Sequence, residues 1–404
     1  MNNYQKAIEN SNIVSKTDIN GIITFVNDEF CNLFGFTKDE LIGKNHNIIR
    51  HPDTPKENFE LLWNTILDKK VYKSTVKNIS KNGEDIYLNT TIIPILDEKE
   101  ENIVEFVAIR YDITNEVLLQ KELEEKQKII LYWIVLIEMM TSIHSVQFNP
   151  MFTAFFIFTF VFTLRGKDWI ATLFIALGIL TKLYGIAGLA FFFFSKNKIQ
   201  FIISLMVWLT VIVAAPILYS SYDYIVQSYE DWYYQIIRRN QQNIDNSRTA
   251  GMQDISVPGM IRRIFKYYGP IDFPIIAAAG VLFGIPLLKK QNQDHPNFKL
   301  NYLALVLISV VIFSSAAESP TFVIAVTGAA IWFITQQQPY STKIKATIWL
   351  LFLLTILSPT DLIPPYIRIN FILAYSLKAL PCFIIWCWLI ISCWKIHLPK
   401  IPSK

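Results

Sequence analysis

Three ionisable residues of different type, Arg50, His51 and Asp53, share the stretch Asn45–Pro55, and Trp63 follows on the next segment. Together they offer a fixed cation, a titratable imidazole, a carboxylate and a flat apolar ring, a set able to grip the polar edge and face of a planar cofactor. The competing reading is a surface Arg50–Asp53 ion pair with Trp63 as plain core, and for this loop alone it is the stronger one. A second group, Lys182, Glu318, Arg368 and Lys378, lies within or beside apolar runs. A Lys at mid-bilayer costs about 2.5 to 3.5 kcal/mol, so such groups need a partner or a function; snorkelling to the interface is the simpler explanation for any one of them. Cations can stabilise a leaving lipid phosphate, and a carboxylate can deprotonate an acceptor hydroxyl. Lys182, Arg368 and Lys378 are thus candidate phosphate ligands and Glu318 the candidate base, although its segment reads more simply as scaffold. Cys31, Cys382, Cys387 and Cys393 show no metal-ligand spacing, and no Gly-rich phosphate loop, nucleophile elbow or zinc pattern occurs. These absences argue against a metal site, hydrolase chemistry and nucleotide-dependent chemistry.

The elements that carry these residues fall into two parts. The 404 residues are 52% hydrophobic, with a mean hydropathy of +0.33, too apolar for an ordinary soluble protein. Of the 33 acidic and 37 basic side chains, residues 1 to 126 hold 22 and 15, leaving 11 and 22 for the remainder. An acidic, charge-dense first third followed by an apolar, net-basic remainder describes a soluble domain attached to a membrane domain whose loops hold the cations. The basic balance therefore does not point to nucleic acid. The polar N-terminus shows no removable signal peptide, which is expected to keep the first third cytoplasmic.

In that first third, alternating or β-branched runs predict strands at Ile13–Thr17, Ile22–Val26, Tyr72–Ile79, Ile86–Ile95 and Val104–Asp112. Helices are expected over Glu29–Phe34, Lys38–Ile42 and Pro55–Lys69. The fold class is thus an α+β domain over residues 1–114, a helical linker over 115–128, an all-α polytopic membrane domain over 129–394 and a cytoplasmic tail over 395–404.

Nine apolar runs lie between residues 129 and 393. The run 169–194 carries Lys182 at its centre, and a hairpin turning there removes the cost of burying that charge. With both termini inside and this run crossing twice, every short cationic loop falls on the cytoplasmic side, giving about ten crossings. Glu318, Asp361, Arg368, Lys378 and the long segment 219–268 then gather on the outer face. Within that segment, the amphipathic stretch Met260–Tyr268 suits a helix lying at the membrane interface.

Gly21–Asn27 (GIITFVN), Phe36 with Glu40–Gly43, Lys81–Gly83 and Asp112–Thr114 resemble a PAS sensor domain over about residues 8 to 125. The stretch NHNIIRHPDTP, with Phe59, Trp63 and Val76–Asn78, is similar to the flavin-binding PAS domain of aerotaxis receptors. That resemblance implies FAD held by Asn27, Arg50, His51, Asp53, Trp63 and Asn78, and a redox or oxygen-sensing role. Departures from the pattern occur at Thr54, Tyr72 and Ile86–Tyr87.

Further along, Gln147–Pro150, Leu180–Phe194, Tyr229–Trp232, Ala316–Ile334, Leu357–Asp361 and Ser376–Cys382 resemble glycosyltransferase family 87, which includes mannosyltransferases using polyprenyl-phosphate sugars. The resemblance implies a multi-span transferase in a bacterial-type plasma membrane, its site open to the extracytoplasmic side, with membrane lipid and a polyprenyl-phosphate sugar as partners. The family's early spans and usual catalytic acid have no counterpart ahead of QFNP, so weak or absent transfer is expected of this chain alone. The alternative is a PAS-based signalling membrane protein acting through a partner protein, with the spans as anchor or sensor.

Overall fold

Five antiparallel strands form one sheet in the order β2-β1-β5-β4-β3: β1 Ile13–Thr17, β2 Ile23–Val26, β3 Tyr72–Ile79, β4 Asp85–Leu96 and β5 Ile103–Asp112. These match the expected strands to within a residue at each end. Three helices, α1 Asp28–Phe34, α2 Lys38–Leu41 and α3 Lys56–Leu67, and a 3-10 turn His46–Ile49 join β2 to β3. Asn27 caps α1, its side-chain oxygen accepting from the Phe30 amide, and Thr37 and Glu40 form a reciprocal capping box on α2. Gly21 turns the chain at φ +78°, and a Cβ there would lie 3.2 Å from the Trp63 ring, so a small residue lets the indole lie against the backbone.

This computed structural model describes residues 12–246, 253–336 and 339–395; the expected tail lies, from residue 396 on, outside them. The chain divides into two compact units, Met1–Lys126 and Gln127–Lys404. The expected linker is the start of a longer helix, α4, which runs over Thr114–His144.

The second unit is all helical. It comprises α5 Asn149–Leu164, α6 Asp168–Thr181, a 3-10 arm Leu183–Phe194, α7 Lys198–Ala214, α8 Tyr222–Asn246, α9 Val257–Phe265, α10 Asp272–Gly284, α11 Pro296–Ile312, α12 Phe322–Ile334, α13 Thr342–Leu351 and α14 Ala379–Lys395. Its centre is the pair α11 and α12, apolar on nearly every side and buried accordingly. They approach closely because position 328 is Gly: a Cβ there would come 2.8 Å from the Ala304 carbonyl oxygen.

The chain reverses at Lys182, whose backbone is extended between α6 and the following arm. The two limbs touch through glycine, since a Cβ on Gly185 would sit 2.2 Å from the Gly178 carbonyl carbon. Among the described residues one helical run, Lys198–Leu218, is long and apolar enough to cross a membrane by itself, with a mean hydropathy of 2.6. Seven further apolar helices of 10–17 residues are shorter. The stretch Met260–Tyr268 is divided: Met260, Arg262 and Arg263 are buried, Arg262 being ion-paired to Asp254 and Asp272, while Ile264, Phe265 and Tyr267 are exposed. α8 likewise leaves apolar surface in the open, with the aromatics Tyr224, Tyr233 and Tyr234 and the aliphatic Ile237 exposed.

Candidate functional site

The first unit encloses a cavity of about 310 Å³ between the inner face of the sheet and the α3 side. Period-two alternation puts Phe106, Ala108 and Arg110 of β5 on that inner face, with Ser15 of β1 opposite Ala108 and Thr90 of β4 opposite Arg110. Trp63 and Phe59 of α3 supply the aromatic wall, Trp63 meeting Phe106 edge-on at 5.9 Å.

Arg50, Trp63 and Asn78 line this cavity as expected. The Arg50 guanidinium lies 3.7 Å from the Phe59 ring centre, and its backbone bridges to Asn78. Asn27, His51 and Asp53 do not line it. Asn27 ties β1 to α1, accepting from the Val14 and Phe30 amides and donating to the Asn12 carbonyl. His51 Nδ1 accepts from the Asp53 amide at 3.1 Å, which leaves Nε2 to donate to Asp85 at 3.0 Å. Asp53 is solvent-exposed and 3.7 Å from Lys77, and the ion pair with Arg50 weighed from sequence does not form. His51 and Asp53 thus shape the loop that presents Arg50.

Sequence reasoning missed the rear of the cavity. Arg110 is 4% exposed, donates to Ser15 Oγ at 2.9 Å and meets His46 Nε2 at 3.0 Å; no carboxylate contacts it among the described residues. Burial lowers the guanidinium to about 10, so it stays charged, while burial and then Arg110 push the imidazole down to about 3. His46 is therefore neutral and accepts from Arg110. The signal was present: Arg110 is a cation on the inward register of a strand.

In the second unit four connecting segments bring polar groups together. Gln147 Nε2 donates to Glu318 Oε2 at 3.0 Å, and Asn149 Nδ2 donates to Gln147 Oε1 at 2.6 Å and to the Pro320 carbonyl at 3.0 Å. Lys182 Nζ donates to Asn149 Oδ1 at 3.2 Å and stands 4.4 Å from the Tyr184 ring centre. Lys378 Nζ, fully buried, is 2.8 Å from Glu138 Oε1 and 2.7 Å from Ser319 Oγ. The segment Glu318–Pro320 thus joins two networks, one reaching Lys182 and the other Lys378. Arg368 lies outside both, pairing with exposed Asp361 at 3.3 Å. Glu138, the partner of Lys378, is 240 residues away in sequence and was not anticipated.

The depressed imidazole carries a pH dependence. With a folded pKa of about 3 against about 6.5 unfolded, the unfolded chain binds the extra proton, so stability is intact above pH 6.5 and falls as pH drops toward 3. The ring is half-buried rather than sealed, so about 2 to 3 kcal/mol of the first unit's stability should be lost, less than the whole shift implies. Urea titrations of residues 1–126 between pH 7 and pH 4 should show this loss, and His46→Gln should flatten it; an unchanged slope in the variant would assign the acid sensitivity elsewhere.

Comparison with known proteins finds two families along the chain, their matches overlapping at β5. Residues 10–115 match the PAS domain profile. The chain is 34% identical over 108 residues to the aerotaxis receptor of Escherichia coli (strain K12), covering 27% of this chain and 21% of that protein. It is 38% identical over 106 residues to a blue-light photoreceptor of Listeria innocua serovar 6a, covering 26% and 41%. The chain thus spans about a fifth to two fifths of these relatives. Among solved structures, the LOV domain from Erythrobacter litoralis EL346 blue-light activated histidine kinase aligns at 22% identity and a TM-score of 0.24, over 26% of this chain and 96% of that one. The profile of glycosyltransferase family 87 matches residues 104–315, more than half of the length. The chain therefore belongs to glycosyltransferase family 87 and carries a PAS domain at its N-terminal side.

Proposed function

We propose that the PAS unit binds a flavin and senses redox state or oxygen, and that the helical unit is a multi-span membrane domain acting on polyprenyl-phosphate sugars. One observation carries the first part: the 310 Å³ cavity pairs an aromatic wall with a buried cation that has no acidic neighbour among the described residues. The wall suits a planar ring, and Arg110 favours a ring edge rich in electrons. Arg50, Trp63 and Asn78 would contact it, while Asn27, His51 and Asp53 hold the walls. A bound flavin would supply the redox chemistry. A second cavity of about 190 Å³, sharing Phe59, Leu62 and Val76 with the first and edged by Asp53 and Lys77, gives room for the longer dinucleotide, FAD. Sequence likeness to an aerotaxis receptor and to blue-light photoreceptors supports a flavin here.

Family membership supports the second part. In this reading the chain crosses a bacterial-type plasma membrane about ten times with both termini cytoplasmic. The 3-10 turn Ile285–Leu288 carries α10 to the 17-residue run Asp272–Leu288, and the π turn Phe352–Ile356 continues α13. Glu318, held by Gln147, is the candidate base, and Lys182, Arg368 and Lys378 are candidate phosphate ligands, of which Lys378 already has a carboxylate at 2.8 Å.

The purified protein should be yellow, with flavin absorption lost in Trp63→Ala and affinity weakened about tenfold or more in Arg110→Met. A folded, colourless protein that takes up neither FAD nor FMN would remove the cofactor from the proposal. Reporter fusions should place residues 197 and 292 inside and residues 182 and 245 outside; a cytoplasmic residue 245 would overturn the crossing order. Transfer from a polyprenyl-phosphate sugar should be weak, and Glu318→Gln should lower it by about a hundredfold. Undiminished transfer in that variant would rule out Glu318 as the base.

A further inference from the structure

The wall of the PAS cavity carries charge of one sign. Its ionisable lining groups are His46, Arg50 and Arg110, and no carboxylate lines it among the described residues. The acids nearest in the sheet are turned elsewhere. Glu105, on the outward register of β5, is 3.6 Å from Lys16. Asp112 is exposed and caps α4, accepting from the Thr114 amide and hydroxyl. Asp85 is held by Lys77 at 2.9 Å and His51 at 3.0 Å.

The two arginines differ in setting. Arg50 is half-buried and stacks on Phe59, whereas Arg110 is 4% exposed and bonded to Ser15 and His46, two dipoles that orient its guanidinium without cancelling its charge. His46 does not take a second positive charge beside it at neutral pH, so the field on the cavity is fixed there. Arg110 also shares the inward register of β5 with Phe106, whose ring meets Trp63, so the cation and the aromatic wall lie along one strand face. A fixed, desolvated cation beside a planar ring stabilises whichever form of that ring carries more negative charge.

We propose that Arg110 makes this cavity select the two-electron-reduced, anionic form of a flavin over the oxidised form, and so raises the potential of the bound ring. This rests on the flavin reading of the PAS unit and adds to it the redox form that the protein favours and the residue that sets the preference. Reduction takes two electrons from an external donor, a reduced viologen dye in the test below, and one proton from water. An N–H bond forms at N5 of the ring, the dye is oxidised, and one negative charge remains on the ring.

The test uses the full-length protein in lipid nanodiscs, without oxygen, with FAD and with riboflavin, which has no phosphate. Reduced riboflavin should bind about a hundredfold tighter than oxidised riboflavin, equivalent to a midpoint potential about 60 mV above that of the free ring. Between about pH 6 and pH 8 the midpoint should fall by about 30 mV per pH unit, one proton per two electrons. In Arg110→Met the two forms should bind about equally and the slope should steepen to about 60 mV per pH unit, because an apolar cavity without the cation takes up the second proton. Arg110→Lys keeps the charge and should retain most of the wild-type preference. Loss of FAD affinity in Arg110→Met that is equal for both redox forms and absent with riboflavin would assign Arg110 to the phosphates and overturn the proposal. A wild-type protein that binds flavin at or below its free potential would overturn the selection and leave the flavin reading standing. A folded protein that takes up neither redox form of either flavin would overturn both. Should Arg110→Met misfold, the wild-type shift and slope, with Arg110→Lys, decide by themselves.

Discussion

The helical unit depends on one buried ammonium. Lys378 has almost no contact with solvent, and Glu138 of α4, Ser319 ahead of α12 and the ring of Phe322 surround it. Ion pairs of this kind are not efficient sources of stability, because desolvating both charges consumes most of the Coulombic gain. Removing one partner, however, strands the other in an apolar interior at a cost of about 3 to 5 kcal/mol. The pair therefore acts as a registration device: α4, the 318–320 segment and α14 have one mutual arrangement in which no charge is left alone. The Glu138 Oε2 atom is buried with no partner among the described residues, so even this arrangement leaves one lone-pair set unsatisfied. A second buried node supports it, with Asp254 held by Arg262 and Ser256, its carbonyl accepting from Ser376, and the Ile255 amide donating to Ala317. The segments bearing Glu318 and Lys378 are thus fixed from both sides.

The PAS unit resolves a similar problem in the opposite way. Arg110 is buried with a serine hydroxyl and a neutral imidazole in place of a carboxylate. Its charge is solvated by dipoles and left uncompensated, which is unfavourable in the empty fold and favourable once an electron-rich group fills the cavity. In the helical unit the carboxylate that neutralises Lys378 is built in; in the PAS unit no carboxylate contacts Arg110 among the described residues. That contrast is why the PAS cavity, rather than the Lys378 node, is the one proposed to take a ligand.

Much of this was legible in the residues. Period-two alternation located the five strands, because a sheet with one buried face imposes that pattern directly. Lys182 marked the reversal between α6 and the arm, since a continuous span would have carried its charge across the bilayer core. What escaped was of two kinds. Glu138 and Lys378 are separated by 240 residues, and local spacing carries no information about which charges meet at that range. His51 and Asp53 carried the right chemistry in the right loop, yet the fold uses them to brace Arg50, because Asp85 and Lys77 on neighbouring strands reach them first. In α9 the amphipathic periodicity showed that two faces differ but not which one the fold covers: Asp254 and Asp272 draw Arg262 inward, and Ile264 and Phe265 are left exposed.

The same accounting ranks the cations of the helical unit as phosphate ligands. A phosphate competes for an ammonium or guanidinium against whatever already neutralises it, and displacing a carboxylate costs the interaction that carboxylate made. Lys378 would have to leave Glu138, stranding an acid in the core, and Arg368 would have to leave Asp361 at an exposed edge where its attraction is screened by water. Lys182 is held by the amide oxygen of Asn149, which Gln147 and the 318–320 segment orient, by the Tyr184 ring and by the charge of Glu318 beyond hydrogen-bond distance. Drawing Lys182 toward a phosphate would free that oxygen and perturb the chain of amides that ends on Glu318. Lys182 is therefore the cation of the helical unit whose surroundings are coupled, through Asn149 and Gln147, to Glu318.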